Sequence, residues 1–435
     1  MVLCLHGIQT HSGWFGPLGK VLSQGHTTVY ALDRRGSGAH AGESDQQDWH
    51  GDIDHWENWI ADIQIAAKKI GAEHPGKPLY LLGVSWGCKT ALGALAEDGK
   101  TFKGAILISP AFATSIDPNF FLRGLQKLAM LRPASRVDLT KRLTPDLYTE
   151  NPKTQDEWLR PSDPLILRSV TQRFLAESSA QFAKAKQQLG KITTPLLTVY
   201  GTKDKLVDRY KSDQLLRPLR EDPPQPFGAA KLTTLLLKGL THASIVENED
   251  LLASVITDWM AARNGKALPK NEYWLPAYAT GFGVSATGRS KAKIEDLHTQ
   301  AHGLATDVRV TKGEKLTFRW DPTIWWQDEG LDPVQAGGSN QEHWAQKLGR
   351  RWLICKKTRD GKPAPYFTVL AHIKKPDGTC VTTVAGFPPD SNQSTVTWTA
   401  PASGSLYLSA NDSTMLSPWV IFTNNTGTLR LFIER

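Results

Sequence analysis

Cysteine is scarce, with four residues in a chain of 435. That is too few for a disulfide framework, so the fold must stand on its own core. Cys4 and Cys88 lie in apolar runs and read as reduced core thiols, while a Cys355–Cys380 pairing stays open. No stretch reaches the roughly 18 consecutive apolar residues of a membrane helix. The start of the chain lacks a basic segment, and the apolar run Val2–Leu5 is too short for a secretory leader. This points to the cytoplasm; loss of a natural N-terminal segment would leave an extracellular location open. A charged tail is also missing. The net charge of +8 divides evenly between the chain before and after residue 269, and nothing in its distribution suggests nucleic acid.

What is present is ordinary globular composition, 40% hydrophobic and 22% charged, which excludes wholesale disorder. A single core stops growing beyond roughly 250–300 residues, so two domains are expected. There are 15 tryptophans against 9 tyrosines, and eight of them lie in residues 269–435.

Residues 1–265 alternate short apolar runs with helical patterns. The runs Val2–Leu5, Thr28–Leu32, Leu79–Val84, Gly104–Ile108, Leu196–Tyr200 and Leu232–Leu237 read as buried parallel strands. Ile53, Trp56, Ile60, Ile63, Ala67 and Ile70 recur at helical spacing, as do Leu251, Val255, Trp259 and Ala262. Such alternation predicts an α/β sheet with helices on both faces. Residues from about 113 to 190 break the rhythm and read as a helical insertion, with one helix around Phe120–Leu128 and more across Leu165–Leu189. A linker is expected over 266–296, marked by Pro269 and Pro276. Beyond it, alternation in Leu316–Trp320, with Tyr366–Ile373, Thr395–Thr399, Ser405–Ser409 and Leu429–Ile433, predicts an all-β sandwich over 297–435.

The sharpest motif is Gly83-Val84-Ser85-Trp86-Gly87, between an apolar strand and the helical run Cys88–Leu95. A serine on so tight a strand-to-helix turn needs small neighbours and is lifted clear of the sheet, which marks Ser85 as a nucleophile. Its base must come late in the chain and the acid before it. Asp204 follows the strand Leu196–Tyr200, with Asp208 its rival four residues on. His242 is the only histidine between His74 and His298 and follows the last strand of this half. Two backbone N–H groups must hold the oxyanion. Trp86, after the nucleophile, and Ile8, after the first strand, are the candidates, with Gln9 an alternative to Ile8; the His6 side chain reads as structural.

With these residues in place, residues 1–265 resemble the α/β-hydrolase superfamily, most closely its lysophospholipase and monoacylglycerol lipase group, the serine aminopeptidase-like hydrolases. His6-Gly7, Asp33-Arg34-Arg35-Gly36-Ser37-Gly38, the Ser85 elbow, Gly201-Thr202-Lys203-Asp204, the His242 loop and Asp163-Pro164-Leu165-Ile166-Leu167-Arg168 carry the likeness. The resemblance implies a Ser85–Asp204–His242 triad, a helical cap and no catalytic cofactor. Members carry one or two strands ahead of the His-Gly strand, whereas this chain starts on it.

The C-terminal stretch resembles the calcium-dependent galactophilic bacterial lectins through Trp398-Thr399-Ala400-Pro401, Gly404–Leu408, Asn411-Asp412, Asn424-Asn425-Thr426-Gly427, Leu429–Ile433 and Leu353-Ile354-Cys355. Calcium takes hard oxygens. Asp412, Asn424 and Asn425 would supply side-chain oxygens and Ile421 a carbonyl; two turns using Asn for its geometry is the plain alternative. Trp325 and Trp326 are the candidates for stacking on a sugar, whereas Trp320 and Trp398 fall in strand patterns and read as core. The whole reads as a serine ester hydrolase, a carboxylesterase or a lysophospholipase or monoacylglycerol lipase, with a carbohydrate-binding-like domain. The rivals are a polysaccharide deacylase, a peptidase, and a lectin with a vestigial hydrolase half.

Overall fold

Val2–Leu5 forms β1, with all four residues buried. It pairs in parallel with β2 (Val29–Leu32) on one side and β3 (Tyr80–Val84) on the other. β4 (Gly104–Ile108) continues the parallel array beyond β3. Strands buried on both faces read as continuous apolar runs, which is why β1, β3 and β4 were visible in the sequence; β2 is apolar but only partly buried.

The computed structural model divides into two units. The first comprises residues 1–219 and 239–264, the second 220–238 and 265–435. The described residues are 1–41, 50–115, 132–158, 160, 162–221, 225, 227–276, 304–327, 333–336, 368–389, 391, 393–410 and 426–435.

In the first unit, helices α1 (Gly16–Gln24), α2 (Glu57–Glu73) and α3 (Gly87–Asp98) accompany the strands. α2 buries Trp59, Ile60, Ile63, Ala67 and Ile70, one stripe at helical spacing. The expected insertion contains a short ribbon, β5 (Arg136–Asp138) with β6 (Ser169–Thr171), and helices α4 (Pro145–Tyr148), α5 (Pro152–Trp158) and α6 (Gln172–Gln187). The predicted helix around Phe120–Leu128 lies outside the described residues. Thr171 caps α6 by accepting from the Phe174 N–H. Asp52 pairs with Arg173 and accepts from Thr171 Oγ1, tying the insertion to the loop before α2. On α3, Gly93 leaves room for Gln181 of α6: a Cβ there would lie 2.3 Å from its amide nitrogen. β7 (Leu196–Gly201) then pairs in parallel with β4. α7 (Arg209–Leu216) follows. The predicted helix Val246–Ala262 is two, α8 (Ser244–Glu247) and α9 (Glu249–Arg263), broken at Asn248.

In the second unit the strands pair antiparallel. The run Leu232–Leu237 forms the expected buried strand, β8, which groups by its contacts with this unit and pairs there with a later strand. β9 (Glu272–Pro276) is fully buried and occupies part of the expected linker. The rest of that linker, 277–296, lies outside the described residues. β10 (Leu304–Val310), β11 (Lys315–Trp320) and β12 (Ile324–Gln327) follow. β13 (Val369–Lys374), β14 (Cys380–Val384), β15 (Thr395–Thr399), β16 (Gly404–Ala410) and β17 (Thr426–Glu434) complete the set. β17 pairs with β9, β11 and β12, β15 with β11, and β8 with β12; β10, β16, β13 and β14 form a separate four-stranded sheet. One apolar cluster draws on both sheets, including Leu316, Phe318, Trp320 and Leu431 from one and Ala371, Ile373, Leu406 and Leu408 from the other.

Trp326 departs from its expected role, and Trp325 is only partly buried. Trp326 is 0% exposed and its indole N–H donates to the Gln335 carbonyl. It sits in the core cluster and offers no face to a sugar. Trp325 packs against the same cluster, its indole N–H donates to the Pro322 carbonyl, and the Lys238 ammonium lies 5.0 Å from its ring centroid. Trp320 and Trp398 are core residues, 1% and 5% exposed. Asp412, Ile421, Asn424, Asn425 and Cys355 lie outside the described residues.

Candidate active site

The turn after β3 is forced by contact distances. Ser85 has φ +55°, a backbone region costly to any residue with a Cβ. Its N–H donates to the Ile108 carbonyl and its carbonyl accepts from the Ala111 N–H, so the strained residue is held at both ends. Glycine is required on either side. A Cβ on Gly83 would lie 2.9 Å from the Cys88 Cα, and one on Gly87 would lie 2.4 Å from the Leu5 carbonyl oxygen.

Ser85 Oγ lies 2.9 Å from His242 Nε2, and His242 Nδ1 lies 2.9 Å from Asp204 Oδ2. All three side chains are buried, Ser85 being 6% exposed and His242 2%. The other Asp204 oxygen accepts from the backbone N–H groups of Leu206 and Val207. Burial pushes the Asp204 carboxyl upward, but the neighbouring His242 and these hydrogen bonds outweigh it and hold it below its ordinary range. The carboxylate is therefore ionised at neutral pH and directs the Nδ1 proton toward itself, leaving Nε2 to accept from Ser85. Asp208 takes a different job. It caps α7 by accepting from the Lys211 N–H and pairs with the Lys211 ammonium.

Ile8, Gly7 and Gln9 line the same cleft as Ser85 and His242, with Thr10, Val84, Tyr148, Trp158 and Ile245. The cleft opens to solvent and spans about 320 Å³ with that solvent included. Among the described residues, neither the Ile8 nor the Trp86 N–H donates to another backbone group. His6 is buried and structural: its Nδ1 donates to the Gly7 carbonyl and its Nε2 accepts from the Arg34 N–H. The turn Asp33–Gly38 is also structural, with Asp33 accepting from the N–H groups of Ser12 and Ala39.

Tyr148 and Trp158 escaped the sequence reading because they sit in a Pro- and charge-rich stretch without periodicity. Tyr148 meets the His242 ring edge-on at 5.3 Å, stacks on Trp158 at 4.1 Å and donates to Gln9 Oε1. Burial raises its phenol far above the ordinary range, so it is a donor and not a base. Ser109, at φ +46°, also hydrogen-bonds Asp204 and carried no sequence signal.

Comparison with known proteins identifies the family. The family described as serine aminopeptidase, S33, matches residues 1–247. Human monoglyceride lipase is 25% identical over 272 residues, covering 61% of this chain and 84% of its own. The monoglyceride lipase homolog of Monkeypox virus is 24% identical over 209 residues, covering 48% of this chain and 72% of its own. The crystal structure of Paleococcus ferrophilus monoacylglycerol lipase is similar at a TM-score of 0.49 and 22% identity, covering 60% of this chain and 93% of that one. With more than half of its length matched by the family, the chain belongs to the serine aminopeptidase S33 family of serine hydrolases, within the α/β-hydrolase superfamily.

Proposed function

We propose that the chain is a carboxylic ester hydrolase of the monoacylglycerol lipase type, with Ser85 as nucleophile, His242 as general base and Asp204 as orienting acid. The observation that carries this is the pair of 2.9 Å contacts linking Ser85 to His242 and His242 to Asp204. In this reading Ser85 Oγ attacks the ester carbonyl carbon as His242 Nε2 takes its proton. The oxyanion is held by the N–H groups of Ile8 and Trp86. Collapse of the intermediate breaks the carbon–oxygen bond, and His242 returns the proton to the leaving alcohol. Water then attacks the acyl-Ser85 ester by the same route, releasing the acid. An ester is favoured over an amide because an alkoxide leaving group demands less of the general acid. The relatives named monoglyceride lipases support a glyceride-like substrate.

A fluorophosphonate probe should label the wild-type protein once per chain and leave Ser85→Ala unlabelled. Across an ester panel, monoacylglycerols should be turned over well and aminoacyl p-nitroanilides and acetylated glycans poorly. Labelling of Ser85→Ala would remove the assignment.

The second unit is proposed as an accessory sugar-binding module using calcium held by Asp412, Asn424, Asn425 and the Ile421 carbonyl. The support is donor chemistry alone, since these are hard oxygens of the kind calcium takes. At calcium about 100-fold above its Kd, binding should stabilise the protein by about 2.7 kcal/mol. A melting curve of the metal-free protein that does not move with added calcium would remove the metal.

A further inference from the structure

The group facing the oxyanion site from behind is a buried guanidinium. Arg34 is 8% exposed. Its Nη1 donates to the Gly7 carbonyl at 3.2 Å, and its Nη2 donates to the Ile8 carbonyl at 3.0 Å and to Ser37 Oγ at 2.6 Å. Its guanidinium carbon lies 4.3 Å from the Trp86 ring centroid. Arg34 therefore touches both residues whose N–H groups would hold the oxyanion.

The first of these contacts acts on the reacting geometry. The Gly7 carbonyl and the Ile8 N–H belong to one peptide unit. That unit is planar and trans, so its oxygen and its N–H point in opposite directions. Fixing the oxygen fixes the N–H. The Gly7 oxygen is held twice, by Arg34 Nη1 and by His6 Nδ1 at 2.8 Å. His6 is itself set by the Arg34 N–H donating to its Nε2, which leaves the ring proton on Nδ1. A cation on the carbonyl also withdraws electron density from the same peptide and strengthens its N–H as a donor.

The second contribution is charge. Among the described residues no carboxylate lies within ion-pair distance of Arg34, and its Nε has no acceptor. The adjacent Asp33 carboxylate acts on Arg34 only through space, its oxygens being taken by the N–H groups of Ser12 and Ala39. A buried cation without a paired anion is costly to keep. It becomes favourable when negative charge develops nearby in a site shielded from water.

We infer that Arg34 is a positioning residue of the oxyanion hole, aligning and polarising the Gly7–Ile8 peptide and placing behind it a positive charge that makes no direct ion pair. The inference rests on the triad reading above and goes beyond it.

The test uses the full chain and p-nitrophenyl butyrate, with active sites counted by fluorophosphonate titration. Arg34→Met should lower kcat by about 10–100-fold, less than the roughly 100–1000-fold of losing an oxyanion donor outright, with KM within about threefold. Arg34→Lys, which keeps the charge and loses the fork, should recover part of the loss and serves if the methionine variant does not fold. Affinity for a trifluoromethyl ketone, whose hydrate-like adduct carries the oxyanion, should fall in step with kcat/KM. A purely structural role would lower the melting temperature without that proportionality. Unchanged kcat in both folded variants overturns the inference, as does a ketone affinity that ignores the loss in kcat/KM. The control separates the two readings. If Ser85→Ala is inactive and both Arg34 variants are normal, only the Arg34 role fails; if Ser85→Ala keeps its activity, the triad itself fails.

Discussion

Asp204→Asn is expected to lower kcat for p-nitrophenyl butyrate by about 10⁴-fold while leaving the protein folded. The carboxylate does two things at once. One oxygen accepts from His242 Nδ1, and the other is saturated by the Leu206 and Val207 N–H groups. An amide at this position must keep its oxygen toward those two N–H groups, since its NH₂ cannot accept from them. It then presents NH₂ to His242, which forces the imidazole proton onto Nε2, where it faces Ser85 Oγ and cannot take its proton. The result is a wrong tautomer with the geometry intact. Circular dichroism and melting temperature should stay near wild type while the rate collapses. A loss smaller than about tenfold would mean that another group orients His242, Asp208 being the first to try.

Gly87→Ala is expected to remove both activity and stability. The added methyl would meet the carbonyl oxygens of Leu5 and His6 at 2.4 and 2.7 Å. These are backbone atoms of β1 and its exit, and β1 is hydrogen-bonded on both sides. Neither party can move without disturbing the central sheet or the oxyanion loop. Overpacking of this kind costs about 3 kcal/mol, which corresponds to a fall in melting temperature of roughly 6–12 °C for a unit of this size. Any protein that still folds should react slowly with a fluorophosphonate, since relief of the clash must shift α3 and with it the Trp86 N–H. A variant with wild-type melting and labelling rates would show that the turn tolerates the methyl.

These two positions illustrate what the sequence made legible. Gly87 and Ser85 were readable because steric exclusion leaves a local signature: a small residue at a fixed offset, between an apolar strand and a helix. Asp204 and His242 were readable because each follows a buried strand, and buried strands announce themselves. Arg34, Tyr148 and Ser109 were not readable. Their roles come from contacts between segments far apart in the chain, such as Tyr148 with Gln9, and no local pattern encodes such a meeting. In the second unit the error ran the other way. Trp325-Trp326 looked like an exposed loop because the strand holding it is four residues long and opens on the Asp321–Thr323 turn, where Asp321 accepts from Thr323. Four residues are too few to show alternation. Glu272–Pro276 was read as linker because of its prolines, yet Glu272 is buried with both oxygens on Arg430, a pairing set by the last strand of the chain.

The path of the chain between Asp204 and His242 has a consequence for synthesis. Residues 220–238 leave the first unit, join the second, and return just ahead of the histidine loop. Within the second unit, β8 pairs with Ile324 and Trp325, which emerge from the ribosome long after His242 does. Until then β8 presents an open row of backbone donors and acceptors, a template for strand addition by another chain. Removing everything after residue 265 would make that exposure permanent, so a shortened form should be prone to aggregate before its catalytic residues can be assayed.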